Sequence, residues 1–490
     1  MDRVVKLEQI EHFDFITDVA VCGYGGAGAS AALEARRAGS EVMIFERFSS
    51  GGGSTALSAC EMYLGGNGGT KLQQELGFED STENFYNYLM ACFGKYADEA
   101  RVRKFVDGAA EHFDWAEGLG VPYKRGFYPG RDVVAMTGDS LQYTGNERAY
   151  PFNQQAQAIP RGHLPADADH DGGKVLMGHL MRNVVESGAD IKYDARVLSL
   201  IQDENKRICG LLVKIDNKVQ AVYARQGVIL AMGGFIMNES MTKQHIPQLE
   251  SICTRHGNPG DRGDGILMGI AAGGNAIHMG QAFVGIAHYP PSDLTYGIFV
   301  NEQGQRFINE DIYLARLGDY AARQTNQKAY MFIDNKYYSR PDYHETTEII
   351  AVGETVEELE RESGLPEGSL QHTVAYYNQH AEQGVDPLFH KSADWLAPLV
   401  TPPFALVDYS LATLKPTCFT LGGLDTLPTG EVLTAEREVI EGLYAAGRTA
   451  SGIPRTGEGY ASGMSVADAT FFGRQAGISA SQTSRNEPPV

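Results

Sequence analysis

The chain has 490 residues, 43% hydrophobic and 21% charged, enough for more than one core and too apolar for disorder. Lys and Arg number 41 against 62 Asp and Glu, a formal charge of −21, which repels phosphate backbones and anionic lipid and argues against a nucleic-acid partner. No apolar run approaches the ~18 residues of a membrane span, and the start, MDRVVKLEQIEHFDF, lacks the apolar centre of a signal peptide, so a cytoplasmic location is expected.

From the N-terminus, TDVAVCGYGGAGASAALEARRAGSEVMIFER predicts a strand, a glycine turn, an Ala-rich helix closing at Gly39 and a second strand ending at Glu46. Two more apolar strands end in glycine, GVILAMGG at 227–234 and GLYAAG at 442–447, so one sheet is assembled from distant segments. Between them an insertion is expected from about Gln281, after the helix-like GDGILMGIAAGG, to Phe404 in the turn TPPFA. It carries two helical patterns joined by a Gly-Leu-Pro break, TVEELERESGLPEGSLQHTVAYYNQHAEQG. The expected architecture is α/β: a discontinuous Rossmann-like FAD-binding domain (1–280 and 405–490) with an inserted α+β capping domain (281–404). The polar end SQTSRNEPPV is expected to fray.

Gly23-Tyr24-Gly25-Gly26-Ala27-Gly28 sits between strand and helix with Glu46 at the end of the next strand, the context of a dinucleotide site. The glycines allow a tight turn and close approach of backbone to a pyrophosphate, the helix N-terminus offers free N–H groups, and Glu46 can accept from ribose hydroxyls. A second glycine loop right after this acid and Arg47, Gly51-Gly52-Gly53-Ser54-Thr55, suits the longer chain of FAD rather than NAD.

Two patterns are decoys. Asp167-Ala168-Asp169-His170-Asp171-Gly172 opens like a calcium loop, but its twelfth position is Gly178, so a solvated acidic loop is expected, with His163 and His170 on the surface. Gly459-Tyr460-Ala461-Ser462-Gly463 is no nucleophile elbow. The six cysteines form no CxxC pair and are expected as small buried thiols, with no metal site.

Nearly the whole chain resembles the fumarate reductase/succinate dehydrogenase flavoprotein superfamily, through GYGGAG, GGGST, GVILAMGGF, GDGILMG, VNEQGQRFINE, TLGGL and GLYAAGR in order. Within it, GEGYASGMSVADATFFGRQAG and NEDIY are most similar to the 3-ketosteroid dehydrogenases of the 4(5α) type. Where dicarboxylate reducers place a substrate-binding Arg and His, this chain has Tyr460 and Cys418-Phe419, which suits a neutral, apolar ketone.

The resemblance implies non-covalent FAD, since no His or Cys lies in a flavinylation motif. Gly23, Gly25 and Gly28 would lie at the pyrophosphate, with Gly26 and Ala27 between them. Glu46 would hold the ribose, with Gly53, Ser54 and Thr55 along the ribityl chain and the Val197 backbone at adenine. Gly233 and Gly447 close the glycine-ended strands, Ser465 and Val466 open the last helix against the pyrimidine ring, and Arg448, where the family has Glu, has no assignable contact. The implied reaction converts a 3-keto-5α-steroid to its 4-ene, a proton leaving carbon 4 and a hydride leaving carbon 5 for flavin N5, with an electron acceptor that the sequence does not name. Catalysis falls to Ser462 nearest the proton, Tyr313 relaying it and Tyr460 polarising the ketone, assisted by the backbone at Gly463, while the ring of Phe419 binds the substrate. A 3-ketosteroid 1-dehydrogenase, a fumarate-type ene-reductase and a non-catalytic flavin electron-transfer module remain as alternatives.

Overall fold

The β-branched run before Gly23 is buried on both faces, as a parallel strand covered by helices must be. In the computed structural model, which describes residues 2–488 apart from 136, 167 and 344–346, it forms β1 (Phe15–Cys22). Helix α1 (Gly26–Arg37) returns the chain to β2 (Val42–Phe45), which pairs parallel with β1. Beyond β2 lies β3 (Asp190–Lys192). On the other side of β1, β4 (Arg196–Gln202), β5 (Ile208–Ile215) and β6 (Lys218–Leu230) form an antiparallel meander. The 13-residue β6 runs past the end of β5 and pairs parallel with β1.

The segment between β2 and β3 forms a second layer. Helices α2 (Thr82–Phe93) and α3 (Glu99–Gly118) pack beside a small four-stranded sheet that includes Met62–Tyr63 and Gly162–His163. His163 is fully buried there, against its expected surface position: its ring meets Thr70 Oγ1 at 2.8 Å and the Arg161 carbonyl at 2.8 Å. Arg161 and Asp80, also fully buried, form a bidentate pair at 2.8 Å beside it. Much of the supposed acidic loop is helical, since α4 (Gly172–Glu186) begins inside it; Asp167 lies outside the described residues. His170 is exposed as expected.

Farther on, β7 (Ala282–Gly285) leads into a four-stranded antiparallel sheet of β8 (Ile298–Val300), β9 (Tyr330–Asp334), β10 (Ile349–Gly353) and β11 (Phe404–Asp408). Helix α5 (Leu314–Ala322) packs on β7, while the Gly-Leu-Pro break separates α6 (Val356–Ser363) from α7 (Ser369–Ala381). Strand β12 (Thr417–Thr420) pairs with β7, and β13 (Val439–Ala445) pairs with the end of β6. The chain closes with α8 (Met464–Gln482), laid against α1. Contact there is backbone to backbone: a Cβ on Gly473 would stand 2.4 Å from the Ala27 carbonyl oxygen, and one on Gly477 2.2 Å from that of Ala31.

The tail expected to fray is tied down as far as Glu487. The Asn486 N–H donates to the Arg225 carbonyl at 3.0 Å, and the Tyr223 hydroxyl donates to the Glu487 carbonyl at 3.0 Å. Five cysteines are buried and Cys253 is half-buried, a correction to its expected burial; all six are free thiols.

Candidate active site

The glycines between β1 and α1 serve different ends. Gly23 has φ +99°, and a Cβ there would lie 2.4 Å from the Ala231 carbonyl oxygen; a Cβ on Gly28 would lie 2.0 Å from the Gly23 carbonyl. The protein's own packing demands both. Gly25 has φ −89° and the nearest atom to its Cβ position is Gly53 Cα at 3.6 Å, so the protein would accept a side chain here. Its free side is instead part of a cavity of about 810 Å3. Helix α1 starts at this cavity with no side-chain cap at Gly25, leaving first-turn N–H groups and the positive end of the helix dipole for an anion. Thr55 Oγ1 takes the Gly26 N–H at 3.2 Å and locks the second glycine loop against the first.

The candidate residues named from the sequence line this cavity except Gly28, whose place is the strand–helix contact, Gly52 and Cys418, which is buried in a separate core cluster. Glu46 is buried and accepts the N–H groups of Tyr24 (2.8 Å) and Phe48 (3.0 Å), bracing the turn while facing the cavity. Burial lifts its carboxyl above the usual range, against those hydrogen bonds. Arg47 reaches Asp264 at 3.5 Å. Arg448, without an assignable contact from sequence, donates to Asp261 Oδ2 at 3.0 Å; the same oxygen accepts from Ser54 Oγ at 2.6 Å. The cation standing 5.1 Å over the Phe419 ring is thus already neutralised, and no clamp for a dianion forms there.

At the far end of the cavity the walls are aromatic. Phe283 on β7 stacks on Phe419 of β12 with ring centres 4.5 Å apart and planes at 6°, and Tyr460 meets both edge-on at 5.0 and 5.7 Å. Tyr313, at the N-terminus of α5, shares a 2.6 Å hydrogen bond with Ser462 Oγ. The Tyr460 hydroxyl donates to Ser465 Oγ at 2.9 Å. Burial drives the Tyr313 phenol well above its ordinary pKa and that of Tyr460 up to about 12, so both stay protonated at neutral pH.

These groups are positioned by a segment that sequence reasoning passed over. Asn146 Oδ1 accepts the Tyr313 N–H at 2.8 Å, while Thr144 grips Ser462 twice, its carbonyl accepting the Ser462 N–H and its hydroxyl donating to the Ser462 carbonyl, both at 2.9 Å. Gly463, φ +97°, turns the chain into α8, and its carbonyl accepts the Tyr63 N–H at 3.2 Å. Glu61, Phe283 and Tyr343 also line the cavity and were missed. No sequence motif marks them; only an acid isolated in the apolar stretch around Met62 hinted at Glu61.

A family model described as an FAD binding domain matches residues 18–463. Among solved structures, the 3-ketosteroid-Δ4-(5α)-dehydrogenase of Rhodococcus jostii RHA1, in complex with 4-androstene-3,17-dione, is similar at 39% identity and a TM-score of 0.91, over 98% of this chain and 100% of that one. A 3-oxo-5α-steroid 4-dehydrogenase of Comamonas testosteroni is 25% identical over 88% of this chain and 92% of its own length. A probable fumarate reductase of Shewanella frigidimarina is 28% identical over 95% of this chain and 75% of its own.

Proposed function

This chain belongs to the FAD binding domain family with FAD as its cofactor, and on that premise we propose that it dehydrogenates 3-keto-5α-steroids to 3-keto-4-enes. The hydrogen bond that joins the Tyr313 and Ser462 hydroxyls at 2.6 Å in an aromatic-walled cavity carries this reading. It is supported by the likeness to the Rhodococcus enzyme over the full chain. Bound FAD would supply the two-electron acceptor, taking both electrons as one hydride.

The open N-terminus of α1 and the bare face of Gly25 would hold the pyrophosphate, Glu46 the ribose, the Val197 backbone the adenine, and Ser54 and Thr55 the ribityl chain. Ser465 and Val466 would turn the N-terminus of α8 toward the flavin. Phe283 and Phe419 enclose the steroid and exclude water. A ketone oxygen displaces Ser465 as the acceptor of the Tyr460 proton and takes a second hydrogen bond from the Gly463 N–H. Polarised this way, the ketone acidifies carbon 4, whose proton passes to Ser462 Oγ while the hydroxyl proton of Ser462 moves to Tyr313 and Tyr313 hands its own proton outward. The capping limits 281 and 404 and a cytoplasmic site of action belong to the same proposal.

Anaerobic mixing of the yellow holoprotein with a 5α-3-ketosteroid tests it. The flavin absorbance should bleach within one turnover and the product should carry a 4,5 double bond. An unbleached flavin, or a 1,2 double bond in the product, overturns the proposal.

A further inference from the structure

A pair of hydroxyls conducts a proton but does not keep one, so the Tyr313–Ser462 bridge needs a base at its end. Most acids lining the cavity are already engaged. Glu46 is held by two backbone N–H groups, Asp261 by Arg448 and Ser54, and Asp264 by Arg47 at 3.5 Å and Arg3 at 3.6 Å. Glu61 differs. It is buried, lines the same cavity as Tyr313, Tyr460 and Ser462, and has no ion-pair partner among the described residues. Its backbone lies against the turn into α8, since a Cβ on Gly463 would stand 3.0 Å from the Glu61 carbonyl oxygen. Its charge is felt at Cys60, Tyr313, Tyr343 and Tyr460, none of them a cation. Two of these are the phenols of the proposed chemistry, and a third, Tyr343, stands at the cavity's outer side near exposed His170, with ring centres 6.2 Å apart.

We propose that Glu61 is the proton acceptor of the site, receiving the carbon-4 proton from the Tyr313–Ser462 pair and releasing it past Tyr343. The inference rests on the reading of function above. In the step, the C4–H bond breaks, Ser462 gains that proton as its own moves to Tyr313, and the Tyr313 proton crosses to the Glu61 carboxylate. The hydroxyls end as they began, Glu61 becomes a neutral acid, and the C4–H electron pair forms the 4,5 double bond as hydride leaves carbon 5 for oxidised FAD. Burial raises the Glu61 carboxyl to about 7, so near neutral pH it is basic enough to accept a proton and acidic enough to release it.

The test is the pH dependence of anaerobic flavin reduction by a 5α-3-ketosteroid in wild type, Glu61→Gln and Glu61→Asp, each first assayed for bound FAD. The wild-type rate should climb with an apparent pKa near 7 as Glu61 ionises. Glu61→Gln should lose that limb and fall roughly 10²–10⁴-fold at high pH, while Glu61→Asp keeps a limb, displaced along the pH axis. An unshifted limb in Glu61→Gln, a wild-type plateau rate in that variant, or a limb absent from a folded Glu61→Asp overturns the inference. If wild type itself is not reduced at any pH, the functional reading has failed and takes this inference with it.

Discussion

Beside α1 the cavity wall is mostly backbone: open N–H groups, glycine carbonyls and the bare face of Gly25. Beyond Phe419 it is side chain: three aromatic rings in mutual contact, the Tyr313–Ser462 bridge and a buried acid without an ion pair among the described residues. A backbone surface selects by shape and dipole, and one added Cβ can spoil it. The side-chain end offers discrete hydroxyls, each removable with little change of volume. Binding of the cofactor and turnover of the substrate should therefore come apart under mutation.

The largest effect that would break this contrast comes from Tyr313→Phe, Tyr460→Phe and Ser462→Ala. Each should slow anaerobic flavin reduction by roughly 10²–10⁴-fold with FAD content unchanged. If the first and last act as one bridge, the double variant Tyr313→Phe/Ser462→Ala should be little worse than the poorer single one. Near-wild-type rates in all three would remove the hydroxyls from the chemistry.

Next in size is a stability effect at the same end. The Glu61 carboxyl rises from 4.5 to about 7 on folding because burial penalises its charge, so it is stability-neutral below about 4.5 and costs stability as pH climbs to 7. Above that pH the cost is about 3 kcal/mol for the ~2.5-unit difference. Thermal melts of wild type and Glu61→Gln should converge near pH 4 and diverge by pH 8, with the variant melting higher; parallel curves would place Glu61 in contact with solvent.

At the backbone end, Gly25→Val should weaken FAD retention by roughly 10- to 100-fold, the equivalent of 1–3 kcal/mol of overpacking, while the apoprotein melts like wild type. A variant that keeps its FAD would show that the cavity face of Gly25 is not where the pyrophosphate lies. The smallest expected effect is none at all: fumarate should leave reduced enzyme reduced, because Arg448 is committed to Asp261. Rapid reoxidation would identify a cation free to bind a dianion.

The strand–glycine–helix unit was legible because its constraints are local: the turn at Gly23, the contact at Gly28 and the acid at Glu46 lie within one supersecondary unit. The layer holding α2 and α3 was not, since no motif marks it. His163 looked like a surface residue because its partners, Thr70 and the Arg161–Asp80 pair, come together only when residues 81 to 93 positions apart pack. The tail looked free for the same reason, its anchors Arg225 and Tyr223 lying on β6. At the aromatic end, Tyr313, Tyr460 and Ser462 were named through the resemblance, whereas Thr144, Asn146 and Glu61, which no motif flags, emerged only once the chain was folded.

The seam between α1 and α8 sets the spacing of the whole site. Where Gly473 and Gly477 meet the carbonyls of Ala27 and Ala31, no side chain intervenes that could lengthen, shorten or swing. One helix begins at the proposed phosphate end and the other just after Ser462, so the interval between the two jobs is a fixed gauge. New substrates can then be fitted by exchanging rings and hydroxyls at the far end without recalibrating the reach to the cofactor.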